Sequence, residues 1–240
     1  MHTASRKVIR KSPKKALATG EMGQGRYVSY PFLWETGPIV GVGPITVDPS
    51  VQDGAVGRRL MEDVLGRARS RHFTGVRLVQ AGYHGRSLAL YAKLGFDARE
   101  PLANLQGPAL GIAVQGYELR PAAETDVAAC NALYLKLHGF KREQDLRDAI
   151  GQGTAAVVEH DGHITGYTTG IGFFGHAIGE SNEDLKALIG AAPAFAGPGF
   201  LLPMRNGELF RWCLAHGLRV VQPMTLMSLG LYNEPKGAFL

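Results

Sequence analysis

Gln52-Asp53-Gly54-Ala55-Val56-Gly57 runs directly into Arg58 and Arg59. Small side chains at such a turn let main-chain N–H groups approach a ligand, and the two guanidinium groups add full positive charge. A helix that starts here also offers unpaired N–H donors and a partial positive charge in its first turn. The chemistry is anion binding, with phosphate as the best-matched group. Two elements must position the turn. Ile39 to Val47 reads as a strand, since Ile45, Thr46 and Val47 are β-branched and Pro49 removes a ladder donor. Asp53 to Arg71 reads as a helix, with Val56, Leu60 and Val64 in one row and Met61, Leu65 and Ala68 in the next.

The order of residues is more specific than the turn. Val47-x-Pro49-x-x-Gln52-x-x-Ala55-x-Gly57 resembles the acyl-CoA signature of the GNAT-type N-acetyltransferases, with Ala55 where that family usually has glycine. Further on, His84-Gly-Arg-Ser87-Leu-Ala-Leu-Tyr91-Ala-Lys-Leu94-Gly95-Phe96 resembles the family's Asn-x-x-Ser/Ala-x-x-Leu-Tyr-x-x-Leu-Gly-Phe helix, with His84 in place of Asn. The resemblance implies an α/β (α+β) fold with a mixed central sheet flanked by helices. It also implies acetyl-CoA as acyl donor and a small-molecule or peptide amine as acceptor. Carried over residue by residue, Ile45, Thr46, Val47, Gln52, Asp53, Gly54, Ala55, Val56, Gly57, Arg58, Arg59, His84 and Ser87 are the expected cofactor contacts. Tyr91 matches the family's general acid, although its spacing alone equally suits a core residue. Main-chain N–H groups at about Ile45 to Val47 are the implied oxyanion donors. Some relatives carry a glutamate base where this chain has Gly41, so the base is open, with Glu35, His72 and His84 candidates by type only. The alternative reading is an acyl-CoA-binding pseudoenzyme without turnover.

Stepping from motif to chain, Val76–Val79 reads as a buried strand, and Ser87–Leu94 as a helix closed by Gly95. Residues 26–114 then form the expected cofactor-binding half, with a short strand over Arg26–Leu33 and little else before the motif. A second half, 115–240, opens at Tyr117–Asp126 with a strand and a helix start that Thr125 or Asp126 could cap. Ala155–Glu159 and Ile164–Phe174 read as a hairpin turning at Asp161-Gly162. Pro203-Met-Arg205-Asn206-Gly207-Glu208 echoes Pro49-x-x-Gln52-x-Gly54, which suggests a tandem, degenerate second copy whose Glu208 repels a phosphate. That copy reads as stopping at Leu240, before any counterpart of the Tyr91 helix.

Composition bounds the rest. The net charge of +5 arises from a tail: residues 1–25 include Arg6, Lys7, Arg10, Lys11, Lys14 and Lys15 and no acid before Glu21, which leaves −1 beyond the first twenty residues. A solvated disordered arm is the expectation there, and the near-neutral body argues against a nucleic-acid surface. No apolar run reaches a membrane-spanning length. Cys130 and Cys213 lack metal or redox spacing, so no metal is expected and a cytoplasmic location is the simplest. A homodimer is one allowed assembly.

Overall fold

The computed structural model describes residues 33–35, 37–43, 45 and 55–240. The basic tail and all but the last residue of the expected Arg26–Leu33 strand lie outside them. β1 (Leu33–Trp34) and β2 (Ile39–Val42) precede α1 (Val56–Ser70), β3 (Gly75–Ala81), α2 (Gly85–Lys93) and β4 (Asp97–Gln106). β5 (Glu118–Pro121), α3 (Val127–His138), α4 (Glu143–Gln152), β6 (Ala156–His160), β7 (His163–Thr168) and β8 (Ala177–Gly179) follow. The chain continues through α5 (Asn182–Ala191), β9 (Phe200–Pro203), α6 (Gly207–Ala215), β10 (Arg219–Gly230) and β11 (Ala238–Phe239). The architecture is mixed α+β, with one sheet ordered β1-β2-β3-β10-β4-β9 and a second ordered β11-β8-β7-β6-β5.

Local chemistry accounts for the elements. Met61, Val64, Leu65 and Ala68 are the buried stripe of α1, as their spacing predicts, and Arg67 and Arg69 sit in its last turn, where cations suit the helix dipole. They pack on Val40, Val42, Val76 and Leu78 of β2 and β3. The hairpin turns at Asp161 (φ 50°) and Gly162 (φ 77°), the paired positive φ angles that match strand twist. Among the described residues β2 pairs over Ile39–Val42, and Pro44, Thr46 and Val47 of the expected strand lie outside them. One expectation is corrected. The Asp126 side chain does not cap α3; its carboxylate accepts from Ala123 N–H (2.8 Å) and binds Arg120.

The two halves share the six-stranded sheet through a pseudo-twofold relation. A shift of 122 residues (84 to 206) carries the helix start His84-Gly85 onto Asn206-Gly207. The same shift carries Gly95 (φ 93°) onto Gly217 (φ 87°) and Pro101 onto Pro223. Leu102 pairs Met224, its own counterpart, with Pro101↔Thr225 and Ala103↔Pro223 on either side. The strand pairs Met224↔Ala81 and Leu102↔Pro203 obey the relation, as do Gly82 N–H to Pro223 O (2.8 Å) and Met204 N–H to Pro101 O (2.9 Å). Even the two bulges, at Arg99 and Val221, are equivalent. α6 is therefore the counterpart of α2, which corrects two expectations. Pro203–Gly207 does not align with Pro49–Gly54, and the second half does contain a partner for the Tyr91 helix.

Candidate active site

β2 and β3 run parallel, and among the described residues they pair from Ile39↔Gly75 to Val42↔Leu78. α1 begins on the side of the strands' C-terminal ends. Its N-cap is Ala55 in a left-handed conformation (φ 59°, ψ 15°), its first turn holds no acid, and among the described residues no side chain caps it. Among the described residues no side chain therefore competes for its first N–H groups, which carry the partial positive charge of a helix start. The helix starts at Val56, three residues later than expected. A left-handed N-cap also explains why glycine suits position 55: a Cβ there is strained. Arg58 is exposed and pairs with Glu62 one turn on (3.3 Å), and Arg59 is exposed beside it. Ile45 packs against the α1 core. Thr46, Val47, Gln52, Asp53 and Gly54 lie outside the described residues.

α2 lies over the same core as α1. His84 is its N-cap: Nδ1 accepts from Ser87 N–H (3.3 Å) and lies 2.8 Å from Ser87 Oγ. An acceptor Nδ1 places the ring proton on Nε2, so His84 and Ser87 have a structural role in forming the helix start. Asn206 does the same for α6, through Leu209 N–H (3.3 Å). Tyr91 is half-buried among Leu88, Leu94 and Phe96, with its ring edge-on to Phe96 at 6.1 Å. Burial pushes its phenol above the ordinary tyrosine value. Gly95 and Phe96 close the helix, Phe96 N–H donating to Tyr91 O (3.0 Å). Tyr91 and the open start of α1 therefore stand on one face of the sheet, over one apolar cluster.

The candidate bases all have other partners or positions. Glu35 is ion-paired with Arg71, His72 sits in a left-handed turn (φ 58°) closing α1, and His84 is the cap just described. Among the described residues no cluster of three or more His, Cys, Asp or Glu could hold a metal, and no helix is long and apolar enough to cross a membrane.

The second half contrasts at each point. Only Glu180 and Ser181 separate β8 from α5, where residues 43–55 separate β2 from α1. The α5 start is already occupied: Ser181 Oγ accepts from Asp184 N–H, and Asp184, 1% exposed, accepts from Ser181 N–H (2.8 Å) and from Thr165 Oγ1. β11 lies against β8 through Ala238↔Gly179, and with α5 and α6 it leaves a cavity of about 390 Å³ lined by Ser181, Asn182, Arg205, Asn206 and Phe239. Glu208 is not at a phosphate position; it bridges α6 to α5 through Lys186 (2.8 Å) and Asn182 (2.9 Å). Tyr91 is matched by Cys213, a buried thiol that burial pushes up to about 12.

Gln80, a lone carboxamide in the otherwise apolar alternation Val76, Leu78, Gln80, is buried with no hydrogen-bond partner for its side chain among the described residues.

Comparison with known proteins bears on the fold. No curated protein sequence matches the chain. Among solved structures, a candidate acetyltransferase from Pyrococcus horikoshii superposes with a TM-score of 0.66 at 18% identity, covering 87% of this chain and 72% of that one. A GCN5-related N-acetyltransferase from Sphaerobacter thermophilus gives a TM-score of 0.54 at 15% identity, covering 86% and 78%. At these identities the likeness is one of fold. The model of the acetyltransferase (GNAT) family matches residues 22–96, which hold the α1 start and Tyr91. The chain therefore carries, over residues 22–96, an acetyltransferase domain of the GNAT family.

Proposed function

We propose that this protein transfers an acetyl group from acetyl-CoA to an amine by direct attack, with one reaction centre in its first half. The observation that carries the reading is the start of α1, with no acid in its first turn and no capping side chain among the described residues, on the same sheet face as half-buried Tyr91. The residues present fit the donor. The N–H groups of Val56, Gly57 and Arg58, which no side chain of the described residues caps, suit a pyrophosphate, with Arg58 and Arg59 beside them. Holding both reactants in one cleft supplies orientation, and main-chain N–H groups near Ile45 are the proposed oxyanion donors.

Tyr91 supports the departure of the thiolate. Burial pushes its phenol above the ordinary tyrosine value. The same shift keeps the phenol protonated throughout the neutral range. Tyr91 thus acts as a hydrogen-bond donor to the sulfur as its charge develops, and the proton that finally neutralises the thiolate comes from the attacking amine or from solvent.

The second half, in this reading, is a GNAT-like copy that has lost its cofactor site and serves as structural partner. It completes the first sheet by lending β10 between β3 and β4. The test is release of free CoA thiol from acetyl-CoA across small amines and peptides. A charge-assisted hydrogen bond is worth ~1.5–3 kcal/mol, so Tyr91→Phe should lower kcat about 10–100-fold while acetyl-CoA affinity holds. Equal turnover makes Tyr91 a packing residue. Wild-type protein that binds acetyl-CoA without turning it over selects the pseudoenzyme, which the engaged Glu35, His72 and His84 would favour.

A further inference from the structure

Arg77 alternates with Val76 and Leu78 on β3, so its side chain leaves the sheet on the face opposite α1 and α2. Two rings from distant parts of the chain meet it there. Phe140, between α3 and α4, and Tyr232, between β10 and β11, each have their centre 5.3 Å from its guanidinium carbon. The neighbouring cations already have acids. Arg99, over the same Tyr232 ring at 4.9 Å, binds Asp97 (2.7 Å), and Arg142 binds Asp145.

Arg77 differs from them. Among the described residues it forms no ion pair, and its Nε and Nη2 are buried with no hydrogen-bond partner. Aromatic faces compensate a cation from above and below its plane, but they leave the in-plane N–H groups without acceptors. Nε and Nη2 share one edge of the guanidinium, and their parallel N–H bonds are the fork that takes both oxygens of a carboxylate. A third group is in the same condition: Tyr232 Oη is buried without a partner. Burial pushes the guanidinium below its ordinary value and the Tyr232 phenol above its own, as for groups desolvated without compensation.

We propose that Arg77 and Tyr232 form a binding site for a carboxylate, borne by a small organic acid, on the sheet face opposite α1 and α2. Arg77 supplies the two parallel donors and Tyr232 Oη a third. Phe140 and Tyr232 both belong to connections rather than to a helix or strand, so they can part to admit the ligand while the sheet stays as it is. The site is independent of the acyl-CoA reading.

The test is the melting temperature at neutral pH in sodium acetate against sodium chloride of equal ionic strength. Acetate at about ten times its Kd should raise the wild-type Tm by about 3–5 °C. Arg77→Met keeps an unbranched apolar chain between the rings and removes the fork. It should show no acetate gain, and in chloride it should melt at or above the wild type, because an unpaired buried cation is gone. Arg77→Lys keeps the charge without the fork and should also lose the gain. No acetate gain in the wild type overturns the proposal, and so does an equal gain in either variant, which would put the carboxylate elsewhere. Arg77→Met melting well below the wild type in chloride also overturns it, since the two rings alone would then account for Arg77.

Discussion

His138, the last residue of α3, makes acid stability a sharp test of the packing around that helix end. Its side chain is 6% exposed, stacked on Tyr134 at 4.4 Å and edge-on to Phe239 at 5.4 Å. Neither ring nitrogen has a partner among the described residues. Burial, followed by repulsion from Arg77 and Arg142, pushes its pKa down to about 3, against 6.5 in the unfolded chain. The folded value is the lower one, so between about pH 6.5 and pH 3 the unfolded state binds the extra proton. Stability is therefore complete above about pH 6.5 and is lost progressively as pH falls toward 3. At 1.36 kcal/mol per pH unit, the loss from this residue reaches about 2–3 kcal/mol by pH 4.5. His138→Phe keeps a ring against Tyr134 and removes the titration. Urea unfolding at pH 7.5 and 4.5 should show the wild type losing about 2–3 kcal/mol more than the variant, with similar m-values. Carboxylates and the buried His176 titrate in both proteins and largely cancel in the difference. Equal losses would mean that His138 is wetter or better paired than its surroundings indicate.

Two further substitutions examine the α1 start. Ala55→Gly relieves a left-handed alanine and should raise stability by about 0.5–1 kcal/mol, read as an increase of roughly 1–3 °C in Tm; a decrease would place Ala55 in another conformation. Gly57→Glu puts a carboxylate in the first turn beside the proposed pyrophosphate and should remove measurable acetyl-CoA binding while the melting curve stays close to wild type; retained affinity would move the anion site elsewhere.

Much of the first half was legible because its signals are local. The α1 stripe follows from helical spacing, and α2 follows from Leu88, Tyr91 and Leu94 with a glycine stop. The pseudo-twofold was harder to read. It rests on a few backbone-determined residues, Gly85 with Gly207, Gly95 with Gly217 and Pro101 with Pro223, embedded in otherwise unlike side chains. Pro203–Gly207 resembled the wrong turn because proline and glycine mark any strand-to-helix connection. The insertion of β10 between β3 and β4 joins residues far apart in the chain, which periodicity does not report. Gln80 was missed for a related reason: a polar residue in a strand becomes informative only when its burial and its lack of partners are known.

Isothermal titration of the wild-type protein with acetyl-CoA counts the acyl-CoA sites. An α1 start that no side chain of the described residues caps, beside a self-capped α5 start, predicts one site per chain, in the first half; no binding, or two sites per chain, would contradict that reading.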